Sequence, residues 1–101
     1  MIRPKKITYG ESVPVRLTLR ERALITEHLF CSDPTTLDRL KLALVEGDSI
    51  VARFSLSELD LLLGDIAAVA NHTKSRKLCQ ELDALYDRIE AVMNSYEEVE
   101  K

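Results

Sequence analysis

The chain has 101 residues, 46% of them apolar and 31% charged, with a formal net charge of −3. That length carries one compact domain, and that balance excludes wholesale disorder. Residues 1–50 carry a net +1 and residues 51–101 a net −4, so neither half has the basic excess of a protein built to wrap a phosphate backbone.

No apolar run approaches the ~20 residues that a membrane helix needs, so no membrane association is expected. The basic start at 1–6 is followed by no apolar stretch, and no secretory leader is expected. Two cysteines, Cys31 and Cys79, are too few for a disulfide framework. A reducing cytoplasm is the expected location.

Residues 1–12 contain Pro4, Gly10 and the Lys5, Lys6 pair without a helical period, and read as a flexible basic arm. Val13, Val15 and Leu17 then alternate with Pro14, Arg16 and Thr18, the mark of a strand with one buried face. Pro14 lacks an N–H and belongs at the strand's start or on an edge. Thr18 with Glu21 three positions later forms a capping box. A helical stripe of Leu24, Ile25 and Leu29 follows, flanked by Ala23 and His28 and ending near Cys31.

Asp33 and Pro34 restart a helix as N-cap and first position. Leu37, Leu40, Ala43 and Leu44 are expected to face inward, with Gly47 as the C-terminal stop. Ile50, Ala52 and Phe54 alternate with Val51, Arg53 and Ser55 as a second strand. Ser55 and Glu58 make a second capping box, followed by Leu59, Leu62, Leu63, Ile66, Val69 and Ala70 on a third helix. Gly64 costs that helix roughly 1 kcal/mol relative to Ala, which suggests a close helix contact there.

Residues 71–75 are polar and rich in capping types, and read as a turn; one bent helix is the rival. Beyond them Leu78, Leu82, Leu85, Ile89, Val92, Tyr96 and Val99 recur at steps of four and three. This heptad seam predicts a long amphipathic helix over 76–97. Residues 98–101 are expected to be a frayed acidic tail.

The reading is therefore an α+β domain over 13–97, mostly helical, in the order β-α-α-β-α-α. It has a short two-stranded sheet and a long C-terminal helix in a helical hairpin. The two strand-to-helix junctions also share Arg, an apolar residue, a hydroxyl residue, Leu and Glu at an offset of 37. An internal duplication explains this, as does the common chemistry of two capping boxes; the capping chemistry is the simpler account.

Candidate chemistry is sparse. His28, Cys31, His72 and Cys79 have the composition of a zinc site but no familiar zinc spacing. Glu58, Asp65 and His72 fall seven apart along the third helix, where a carboxylate beside an imidazole serves acid–base or metal chemistry. Arg16 and Arg53 sit at matching outward strand positions, and Lys74, Arg76 and Lys77 cluster at the start of the last helix. Together they are the case for a nucleic-acid-associated regulator, set against an acidic balance and few aromatics.

The seam is the strongest interaction signal. The last helix is expected to overhang its partner by about two turns, leaving Ile89, Val92, Met93, Tyr96 and Val99 uncovered, and the residues expected to meet a protein partner are Leu85, Ile89, Val92, Met93 and Tyr96. The sequence thus favours a non-enzymatic protein–protein interaction module, a homodimer through that helix or a protein partner, with no cofactor. Nucleic acid and a His72 site rank behind it.

Overall fold

The computed structural model describes residues 4–29 and 34–99. Its elements are β1 (Lys5–Thr8), β2 (Ser12–Thr18), α1 (Leu19–His28), α2 (Pro34–Leu42), β3 (Val45–Glu46), β4 (Ser49–Ser55), α3 (Leu56–His72), α4 (Arg76–Asn94) and β5 (Tyr96–Val99). The α+β class and the four mainly helical segments match expectation. Two small sheets stand where one was expected: β2, β4 and β3 in that spatial order, and β1 with β5.

The central ribbon follows from the alternation in both strands. β2 and β4 pair antiparallel along their whole seven-residue lengths, with Val13 opposite Phe54, Val15 opposite Ala52 and Leu17 opposite Ile50. All six are buried, so this face closes the core and Pro14, Arg16 and Arg53 face outward. Each strand ends on a capping box. Thr18 Oγ1 accepts from the Glu21 N–H while Glu21 Oε1 accepts from the Thr18 N–H, and Ser55 does the same with Glu58.

β3 adds a hairpin to β4 through Gly47 and Asp48, with Gly47 at φ +65°. A positive φ at the first central residue alone is the II′ hairpin turn, which glycine permits. Gly47 is therefore a strand turn and not the helix stop that its position suggested. α2 ends at Leu42, and Leu44, expected inside, lies beyond the helix and is 80% exposed. Asp33 and Cys31 lie outside the described residues.

α3 and α4 pack as a helical hairpin across a three-residue break. Thr73 is extended at φ −73°, ψ 142°, and Ser75 caps α4 by accepting from the Leu78 N–H, which removes the bent-helix alternative. The helices have 17 and 19 residues, so the expected two-turn overhang does not exist. α4 stops at Asn94 because Ser95 closes the last turn and its carbonyl accepts from the Lys5 N–H. The chain then enters β5.

The two ends of the chain thus meet. β1 lies within the segment read as a flexible arm, yet pairs in parallel with β5, Lys6 opposite Glu97. The Gly10 N–H donates to Glu98 Oε2, and Ile7 is buried in the core. Gly64, expected at a close helix contact, is exposed, and a Cβ there would meet nothing within 4 Å.

Candidate functional site

The offset of 37 seen between the junctions reaches into the tertiary structure. Val15 and Ala52 are 37 apart and directly opposite one another, so an approximate twofold axis passes through that pair. Arg16 Nη1 donates to Ser49 Oγ at 3.1 Å, and its counterpart Arg53 donates from Nε to Ser12 Oγ at 3.2 Å. The capping glutamates are also matched. Glu21 takes Arg88 from α4, and Glu58 takes Arg39 from α2. Each cap is thus bound by the second helix of the other half, a relation that capping chemistry alone does not require.

The expected basic patch divides in two. Arg16 and Arg53 share the outer ribbon face, both already engaged; Arg16 also reaches Glu46 and Arg53 the Ser12 carbonyl. Lys74, Arg76 and Lys77 lie at the far end of α3, whose 17 residues place them ~25 Å along from Ser55. The two groups form no single surface.

The expected partner-binding stripe of α4 turns inward. Leu85 and Ile89 are core residues, at 1% and 0% exposure, and cannot serve as a docking face. Val92, Met93 and Tyr96 are half-buried and pack against the same core. The helix has an apolar stripe because α3 buries it, and no surplus length remains outside.

His72 and Asp65 do come together in one groove of about 500 Å³, along with His28 from α1 and an apolar floor of Val69 and Leu78. The His72 Nδ1–H donates to the Ala68 carbonyl at 2.7 Å. Glu58 is absent from this groove, being held by Ser55 and Arg39. Among the described residues no three His, Cys, Asp or Glu side chains are placed to hold a metal ion. Cys79 donates to Asp83 within α4, and Cys31 lies outside the described residues.

Besides Tyr9, Leu19 and Leu61, which are separate in the chain, the exposed large apolar residues fall together elsewhere. Leu42 at 82%, Leu44 at 80% and Val45 at 53% exposure follow one another where α2 gives way to β3. Beside this corner a groove of about 630 Å³ separates α2 from β4, lined among others by Asp38, Leu42, Ala43, Val51 and Arg53. Arg39 crosses its wall, over the Phe54 ring at 5.7 Å and onto Glu58.

Nothing among family models, curated proteins or solved structures matches this chain.

The corner is hidden in the sequence because Leu44, four positions after Leu40, fits the helical stripe of Leu37 and Leu40. Residues two apart do not share a helix face, so Leu42 conflicts with Leu40. Gly47 with Asp48 directly after Val45 and Glu46 was the available hairpin signal.

Proposed function

We propose that this chain is a non-enzymatic protein–protein interaction module that docks through the corner between α2 and β3, with a second copy as its simplest partner. The observation that carries the reading is the run of Leu42, Leu44 and Val45 in solvent. These three residues expose on the order of 400 Å², within the range of about 300–600 Å² of the largest apolar patch on a typical monomer, which is often functional. The fold has other ways to bury aliphatics, as the fully enclosed Leu40 one turn away shows.

Sedimentation velocity from low to high micromolar concentration tests it. The expected result is a concentration-dependent dimer that Leu44→Asp abolishes without loss of helicity. A protein that stays monomeric throughout argues against the homotypic form.

A second reading is supported by the twofold placement of Arg16 and Arg53 on the outer ribbon face. A two-stranded ribbon fits the major groove of duplex DNA, and matched arginines suit a symmetric site. The net charge of −3 and the engagement of both side chains weigh against it. Absence of any salt-sensitive binding to duplex DNA at low ionic strength removes this reading.

A further inference from the structure

We infer that the free edge of β4 along the groove beside α2 is a docking site for an extended peptide strand, supplied by a protein partner and not by a folded second copy. This rests on the interaction-module reading, but on the backbone edge of β4 beside the apolar corner, with which the groove shares Leu42.

The hairpin geometry sets which groups are available. β3 and β4 are joined by a two-residue loop, so Glu46 and Ser49 form its hydrogen-bonded closing pair. Every second residue of β4 from Ser49, namely Val51 and Arg53, therefore directs its N–H and C=O toward the β3 side. β3 reaches only as far as Ile50, and no other backbone partner is found for Val51 or Arg53 on that side among the described residues. The same two residues line the groove.

The matched edge of β2 is guarded at each equivalent point. Pro14, 37 positions before Val51, has no N–H to offer. The Arg16 carbonyl, matched to Arg53, accepts from Arg88 Nη2 at 3.3 Å. The Ser12 carbonyl accepts from Arg53 Nη2, whereas the Thr18 N–H is held by Glu21 just as its match, the Ser55 N–H, is held by Glu58, so the two edges differ at Ser12, Pro14 and Arg16. Exposed edges invite pairing, and proteins commonly block them with proline or side chains. This fold blocks one of two related edges and leaves the other open beside a groove.

The shape of the groove selects the occupant. From Val51 to Ser55 the edge runs ~15 Å at ~3.3 Å per residue, room for a peptide of about five residues. Val45 closes one end of this line, and α2 with Ala43 just beyond it forms its wall. A second copy bringing its own β4 would drive its residues 54 and 55 into Val45 and its α2 against this one. A lone extended peptide meets neither obstacle. Its backbone pairs with Val51 and Arg53, as in strand addition, and an apolar side chain lies against Leu42 and Ala43. Arg39 and Glu58 neutralise each other in the wall, which leaves no net charge preference from that pair.

The test uses the full chain and random seven-residue peptides displayed on phage, with an enriched peptide then synthesised. Binding is expected to slow amide hydrogen exchange at Val51 and Arg53, and Val51→Pro is expected to weaken it about tenfold by removing one N–H. Should Val51→Pro fail to fold, the exchange pattern of the native chain decides alone. No enriched peptide, protection confined to other residues, or a homodimer that protects the same two amides would each overturn the inference. A chain that is monomeric at all concentrations yet gains this protection loses the homotypic corner and keeps the peptide site.

Discussion

Glu21 Oε1 accepts two hydrogen bonds at once, from the Thr18 N–H at 2.8 Å and from Arg88 Nη1 at 2.7 Å. The first closes the cap of α1, and the second fixes α4 against the end of β2. One carboxylate thereby couples a local helix start to tertiary packing. Glu21→Ala removes both and is expected to cost about 1–2 kcal/mol. Arg88→Ala removes a half-exposed guanidinium and is expected to cost less than about 1 kcal/mol. Urea unfolding of the two single variants and the double variant checks this. A coupling energy indistinguishable from zero would mean that the ion pair does not hold α4.

Glu58 gives a pH dependence of definite sign. Burial pushes its carboxyl up, but hydrogen bonds from Arg39 and Ser55 outweigh this and hold it below the ordinary value of 4.5. A carboxyl lowered on folding contributes stability above its unfolded pKa, and that contribution is lost as pH falls through the folded value. The Arg20 hydrogen bond likewise lowers the exposed Glu81. Stability is therefore expected to be flat near neutrality and to fall below about pH 4.5. Glu58→Gln keeps an acceptor for the Ser55 N–H, so its acid limb should be shallower than that of the native chain. Thermal melts from pH 7 down to pH 3 measure the difference.

Much of the fold was legible because short-range chemistry agreed with the core. The alternation of Val13, Val15 and Leu17 against Ile50, Ala52 and Phe54 marks both strands, and Thr18 and Ser55 mark both helix starts. What stayed hidden was non-local. Nothing around Ile7 shows that a parallel strand from the other end of the chain will cover it. The seam on α4 is equally compatible with an external or an internal partner, and only the position of α3 decides. The open edge at Val51 and Arg53 depends on where β3 stops, which no residue in β4 announces.

The glycines separate conformation from packing. Gly47 needs φ +65°, a region where an L side chain is strained, so Gly47→Ala is expected to cost about 1–2 kcal/mol. Gly64 is helical and a Cβ there meets nothing within 4 Å. Gly64→Ala is expected to stabilise by up to about 1 kcal/mol, because it restricts the unfolded chain and suits the helix. Denaturant midpoints moving in opposite directions for the two variants check the assignment. A destabilising Gly64→Ala would restore the close contact that the spacing suggested.

The stripe on α4 provides the sharpest division between holding the fold and meeting a partner. Ile89 is at 0% exposure among residues from every layer, so Ile89→Ala is expected to cost about 2–5 kcal/mol through lost burial and the cavity left behind. Leu85→Asp should prevent folding outright, since it places an unpaired carboxylate in the core. Leu44 is 80% exposed, and Leu44→Asp should shift stability by no more than about 0.5 kcal/mol. Circular dichroism melts and sedimentation of the same samples distinguish the roles. Ile89→Ala should lower the melting temperature while any association persists below it, whereas Leu44→Asp should change association with the melt unmoved. The reverse pattern would return α4 to the surface as the docking element and make the α2–β3 corner inert.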